Sequence, residues 1–210
     1  MYIENSDFGL YMIVNGPLQN NSYIIVKGKD CIVIDPSSKV IKEEISRLNL
    51  NVVAILLTHG HFDHIKGVEY IADENIPIYI HKADNNKCNG VDSGWAEMLK
   101  RFRITPFNAT NFVSCGEILH IIGLDIKVIS TPGHSKGSVC YIVGDCIFSG
   151  DTLFEGSFGR YDFEDGSIVE LKNSILNKLF KLEKNYRVFP GHGSDTTLDR
   201  EKMENSILWM

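Results

Sequence analysis

Val52 to Leu57 is an unbroken run of six apolar side chains that leads straight into Thr58-His59-Gly60-His61-Phe62-Asp63-His64. A run of that length without alternation describes a strand buried on both faces. Beyond its end the chain carries four metal-capable side chains within six residues. In extended geometry His59, His61 and Asp63 share one face, and the turn into a following helix swings His64 beside them. Two neutral imidazoles two residues apart can grip one divalent ion, and Asp63 and His64 point to a second.

The second half of the chain repeats the plan of the first. Asp30 to Asp35, a helix and Ile55 to Gly60 have a counterpart in Asp145 to Asp151, a helix and Arg187 to Gly193. Each time a strand ends in Asp, a helix crosses over, and a second strand ends in Gly and His. The repeat predicts two equivalent sheet halves stacked face to face, helices outside, with strand ends meeting at one edge.

Strands are expected over Tyr11–Val14, Ser22–Lys27, Cys31–Ile34, Val52–Leu57, Ile78–Ile80, Ile118–Ile122, Ile126–Ser130, Ser138–Val143, Cys146–Ser149 and Arg187–Phe189. Apolar positions at helical spacing predict helices over Val40–Leu48, about Ile65–Glu74 and Ile168–Leu182. The polar stretch Lys82–Phe112 reads as a partly helical insertion over one edge. No low-complexity linker interrupts the chain, so residues 1–210 are expected to form one α/β (α+β) domain.

Two further histidines sit in Gly-containing turns after strands, His134 in Pro132-Gly133-His134 and His192 in Gly191-His192-Gly193. Such turns let an imidazole face a site. Two neighbouring ions need a bridging oxygen, and Asp151, at the end of an apolar strand, is the candidate. Asp35, its counterpart in the first half, is either an acceptor that fixes a ligand imidazole or a turn residue before Pro36. His81 and His120 lack a ligand context and are read either as supports behind the ligands or as structural.

Composition narrows the partners. The net charge is −6, from 21 basic and 27 acidic side chains, which argues against nucleic acid. Five scattered cysteines without a Cys-x-x-Cys pair suggest neither a disulfide framework nor a thiolate site. No apolar run approaches bilayer length and the first residues lack the marks of a signal peptide, so a cytoplasmic protein with a small-molecule substrate and no membrane partner is expected.

In this order, His59-x-His61-x-Asp63-His64, His134, Gly150-Asp151-Thr152-Leu153-Phe154 and His192 resemble the metallo-β-lactamase-fold superfamily. Gly150 to Phe154 with Gly156-Ser157-Phe158-Gly159-Arg160 is similar to its glyoxalase II (hydroxyacylglutathione hydrolase) group. The resemblance implies a four-layer αββα sandwich and a dinuclear site, with His59, His61, His134 and Asp151 on one ion and Asp63, His64, His192 and Asp151 on the other. It implies hydrolysis of small thioesters by a metal-bound hydroxide, with Asp63 and Asp151 as catalytic carboxylates. Two divalent ions are expected, zinc ahead of iron or manganese. Arg160 and Tyr161, just past the bridging Asp, are the substrate-binding candidates; Arg160 would clamp an anionic group unless it pairs with Asp162 or Glu164.

With 18 residues after His192, the chain resembles the short hydrolases of that group rather than the full-length enzymes, whose C-terminal helical domain helps bind glutathione. It departs from their usual tail at Ser206, where they place Pro. Thioester chemistry therefore transfers more directly than glutathione recognition. The competing readings are a mononuclear iron persulfide dioxygenase, an ester or lactone hydrolase of the same fold, and a catalytically silent metal-binding module.

Overall fold

A computed structural model describes residues 1–5 and 7–210. The first sheet holds seven strands in chain order: β1 (Tyr2–Glu4), β2 (Gly9–Asn15), β3 (Asn20–Lys27), β4 (Asp30–Ile34), β5 (Asn51–Leu56), β6 (Ile78–His81) and β7 (Asn111–Val113). Between β4 and β5, which pair in parallel, runs helix α1 (Val40–Leu48). After β5 come α2 (Phe62–Ile65) and α3 (Val68–Ile71), and after β6 come α4 (Asn85–Asn89) and α5 (Ser93–Phe102). The second sheet is built from β8 (Ile118–Ile121), β9 (Leu124–Ser130), β10 (Val139–Val143) and β11 (Cys146–Gly150), and a small hairpin, β12 (Leu153–Phe154) and β13 (Ser157–Phe158), follows. Helix α6 (Ile168–Asn177) then crosses to β14 (Arg187–Pro190), parallel to β11, before β15 (Thr196–Thr197) and α7 (Leu198–Glu204) end the chain.

The two halves are thus related as the repeat predicted: an antiparallel hairpin, a helical crossover and a parallel strand in each. Alternation along the strands sorts side chains into layers. On β4, Ile32 and Ile34 join Tyr141 and Phe148 of the second sheet in the central core, while Cys31 and Val33 face Ile41 and Ile45 of α1. Ile55 and Ile80 of the first sheet likewise pack under Val68 and Leu99, and on the far side of the second sheet Ile142, Ile147 and Val188 pack under Leu171 and Ile175 of α6. The order helix, sheet, sheet, helix is the αββα sandwich.

Local chemistry sets the helix ends. The Ser167 hydroxyl accepts from the Glu170 N–H at the start of α6, the satisfied donor expected of a helix N-cap, and Asn49 closes α1 in a left-handed conformation. The helix expected over Ile65–Glu74 is instead two short ones, α2 and α3. Gly67 lies between them, its N–H donating to Pro36 O at 2.7 Å. A Cβ there would lie 2.6 Å from that oxygen, so the chain passes too close to the β4–α1 turn to keep a continuous helix. The expected Ile168–Leu182 helix stops at Asn177 and resumes as a single 3-10 turn. Lys82–Phe112 covers the edge with α4 and α5 and also forms it, because β7 is the last strand of the first sheet. Among the described residues no helix is long and apolar enough to cross a membrane, and the five cysteines are free.

The two sheets are stitched together at one end. Tyr141 Oη donates to Leu57 O at 3.0 Å, Val139 N–H to Thr58 O at 2.8 Å, and Asn21 N–H to Gly191 O at 2.7 Å. Those bonds hold the ends of β5, β10 and β14 side by side, where the histidine-bearing loops emerge.

Candidate metal centre

Five imidazoles and two carboxylates meet at that edge. The loop after β5 supplies His59 and His61, and α2 supplies Asp63 and His64; the turn before β10 supplies His134, the end of β11 Asp151, and the end of β14 His192. Ligand atoms of His59, His61 and His134 lie within 4.8 Å of one another, and so do those of Asp63, His64 and His192. Asp151 lies between the sets. Its Oδ1 is 3.3 Å from His64 Nε2, and its Oδ2 is 3.5 Å from His134 Nε2 and 3.7 Å from His192 Nε2.

The outer hydrogen bonds show which nitrogen each ring presents, because a carbonyl or carboxylate can only accept. His64 Nδ1–H donates to Asp35 Oδ2 at 2.9 Å, His134 Nδ1–H to Arg160 O at 2.7 Å, and His192 Nδ1–H to Leu18 O at 3.2 Å. The Thr58 hydroxyl donates to Asp35 at 2.6 Å, leaving its oxygen to accept from His59 Nδ1–H at 3.1 Å. Four imidazoles therefore turn Nε2 inward. His61 is the exception: its Nδ1 faces His134 Nε2 at 2.8 Å. Of the two readings of Asp35, the structure selects the acceptor. Asp35 is buried with a φ of 48° and holds Thr58 and His64 at once, as residues behind metal ligands do.

Three buried polar atoms of this cluster, His59 Nε2, His61 Nε2 and Asp151 Oδ1, have no hydrogen-bond partner. An unpartnered buried polar atom costs about 1 to 3 kcal/mol, so the two that face into the cluster, His59 Nε2 and Asp151 Oδ1, need a further ligand. Five imidazoles and two carboxylates form the nitrogen and oxygen donor set of a divalent transition-metal site. Gly191 keeps the cradle open: a Cβ there would lie 2.2 Å from Asp151 Oδ1 and 2.7 Å from His64 Cε1.

Electrostatics divide the histidines into two kinds. Burial, reinforced by neighbouring imidazoles, pushes His59 well below the usual histidine range and His61 down to about 3. Both present lone pairs at neutral pH. At His64 and His192 burial works the same way but is outweighed by the carboxylates, Asp151 and Asp63 among them, and both are raised. Asp151 is held far below the usual carboxylate range, because His64, His134 and His192 outweigh its burial.

A buried anchor behind the site gave no signal in the sequence. Asp84, at the start of the Lys82–Phe112 segment, is fully buried. It accepts from Gly60 N–H at 2.9 Å, Ser135 Oγ at 2.7 Å, Gly137 N–H at 2.8 Å and Lys87 Nζ at 2.6 Å. It thereby ties the His59–His61 loop to the His134 loop, and Lys87 continues the tie to Asp165, also at 2.6 Å. Asn20, also silent in the sequence, is buried with its amide 2.9 Å from the inward-facing Nε2 of His64.

A cleft of about 340 Å³ opens over the cluster, with His61, Asp63, His134, Asp151 and His192 on its floor. Arg160 lines its wall, but its Nε and Nη2 both donate to Asp162 at 3.0 Å. Tyr161 stacks against Phe158, 6.4 Å between ring centroids, and is not among the lining residues. His120 is exposed and pairs with Asp125, and His81 caps Ala83, so both stand apart from the cluster.

Residues 15–192 match the metallo-beta-lactamase superfamily. Among curated proteins the chain is 33% identical to the hydroxyacylglutathione hydrolase GloC of Haemophilus influenzae over 90% of this chain and 92% of that one. Among solved structures it is similar to the BLEG-1 B3 metallo-beta-lactamase, at 34% identity and a TM-score of 0.86, covering 95% of this chain and 99% of that one. It is also similar to TTHA1623 in a di-iron-bound form, at 32% identity and a TM-score of 0.79 over 93% and 98% of the two chains. With the sandwich, the metal-ready cluster and these matches in place, the chain belongs to the metallo-beta-lactamase superfamily.

Proposed function

We propose that the chain is a dinuclear metal-dependent hydrolase that cleaves small thioesters. The observation that carries this reading is the convergence of five imidazoles and two carboxylates beneath a cleft, with His59 Nε2 and Asp151 Oδ1 left unpartnered among them. His59, His61, His134 and Asp151 would hold one ion, and Asp63, His64, His192 and Asp151 the other. When bound, the ions supply a water acidified enough to act as a nucleophile near neutral pH, and Lewis acidity for a carbonyl oxygen.

The chain's own residues do the rest. Asp35, Thr58, Leu18 O and Arg160 O fix four of the five imidazoles, so those ligands need not reorient during turnover. Asp63 lies in the cleft floor with its carboxyl held below the usual range by His64 and His192 against its burial; as an ionised carboxylate it can accept a proton from the attacking water. A thiolate leaves without a general acid, since free thiols ionise near about 8.5. Zinc suits this donor set and needs no protection from oxidation, although the di-iron form of TTHA1623 makes iron the competitor to test.

The name of GloC supports the thioester reading and that of BLEG-1 supports a β-lactam one. Purified protein assayed on thioesters, lactones and a β-lactam, with oxygen uptake followed on a persulfide, separates them. The expected result is thiol release with kcat/KM of about 10⁴ M⁻¹s⁻¹ or more and no oxygen uptake. A lactone or β-lactam cleaved a hundredfold more efficiently than any thioester, or oxygen consumption with one iron per chain, would overturn the proposal.

A further inference from the structure

We infer that the cleft recognises an uncharged, ring-bearing apolar group attached at the reacting carbonyl, on its acyl side or on its leaving thiol. The inference rests on the thioesterase reading and names the substrate class for that site. Its walls are Leu18, Phe62, Trp95, Met98, Phe154 and Phe163. Several of these aromatic side chains lie against candidate ligand rings. Trp95 stacks on His61 at 5.8 Å and 26°, Phe163 is 4.8 Å from His61 and 5.4 Å from His134, and Phe154 is 6.2 Å from His192. A ring held among those faces, by offset or edge contacts, would sit within one or two bonds of the reacting carbon.

The wall is also firm and nearly free of surplus positive charge. Phe62 stacks on Phe102 of α5 at 3.7 Å and 6°, which fixes the helix that carries Trp95 and Met98. Among the described residues lining the cleft, Arg160 is the only Lys or Arg; Asp162 takes two of its nitrogens and its guanidinium lies 4.6 Å over Phe163. Lys87 approaches Trp95 at 5.1 Å but is buried and held by Asp84 and Asp165. A volume of about 340 Å³ is at the low end for small-molecule sites. It accommodates a ring and its linking atoms better than the charged ends of a tripeptide.

The test compares acetyl and phenylacetyl thioesters of N-acetylcysteamine, S-benzyl thioacetate and S-lactoylglutathione. Either ring-bearing substrate should exceed the acetyl thioester about 30-fold in kcat/KM, from the apolar area it buries. Trp95→Ala should reduce that ratio below about threefold at unchanged metal content, and Trp95→Phe should keep most of it. The acyl and thiol substrates show which side the ring occupies. Equal rates on all four, a preference for S-lactoylglutathione, or a ratio untouched by Trp95→Ala would overturn the inference while leaving the thioesterase reading intact.

A binding assay covers the case in which no thioester is cleaved. The chain has two tryptophans, and Trp209 is 81% exposed, so Trp209→Phe isolates the emission of Trp95. The uncleavable thioether S-phenylethyl-N-acetylcysteamine should change that emission saturably, at concentrations at least about tenfold below those its S-ethyl analogue requires. Equal behaviour of the two thioethers would refute the inference independently of hydrolysis.

Discussion

Asp151→Ala protein is expected to lose bound metal and turnover together, with kcat/KM on any thioester down by about a thousandfold or more, because metal charge stabilisation of a transition state contributes several kcal/mol. The reason is position. Among the described residues Asp151 is the one carboxylate within 3.7 Å of Nε2 atoms from both histidine sets, so its removal takes an oxygen donor from each. Asp151→Asn, which keeps the shape but not the charge, should fail in the same way. Metal analysis of the purified variants beside a thiol-release assay checks this. Full metal content with no activity would move Asp151 from a ligand role to a purely catalytic one.

The second large effect concerns stability. Asp84→Ala would leave the Gly60 and Gly137 N–H groups and the Ser135 hydroxyl without their buried acceptor, and Lys87 with Asp165 alone. Breaking a buried ion pair costs about 3 to 5 kcal/mol. In a chain of this size that should lower Tm by about 6 to 20 °C, at about 2 to 4 °C per kcal/mol. Because the same carboxylate joins the His59–His61 loop to the His134 loop, the variant should also bind metal more weakly. Thermal unfolding of metal-free protein isolates the structural part, and a Tm within 2 °C of the parent would show that Asp84 is not the anchor described.

How much of this was legible in the sequence depends on how local each signal is. The candidate ligands could be read because His134 and His192 sit in short Gly-containing turns beside strands, Asp151 ends one, and the other four crowd into His59–His64. Helix α1 and the paired crossovers could be read because their apolar spacing is undisturbed. The split between α2 and α3 could not, since it follows from a contact with Pro36 that lies 31 positions away from Gly67. Asp84 was hidden for the same reason: three of its four partners, Gly60, Ser135 and Gly137, are brought to it by the fold alone. The aromatic cleft wall was equally silent. Trp95 and Met98 sit in a polar stretch broken by Gly90, Gly94 and Pro106, and only the docking of α5 on Phe62 turns them towards the site. Arg160 carried two readings in the sequence, an anion clamp or a partner of Asp162 or Glu164, and Asp162 meets two of its nitrogens.

Asp35 and Asp151 show what the duplicated plan accomplishes. Both end a strand that precedes a helical crossover, yet one lies behind the histidines and the other among them. Asp35 faces Thr58 and His64 from the first sheet, and Asp151 reaches between the two histidine sets from the second. The same local geometry, used twice, places a carboxylate behind the histidines on one side and the candidate bridge among them on the other.

A two-metal centre is tested by the metal content of active protein purified without added metal, determined together with its specific activity. About two divalent ions per chain are expected, with activity falling as either is removed. Full activity at one ion per chain would contradict it.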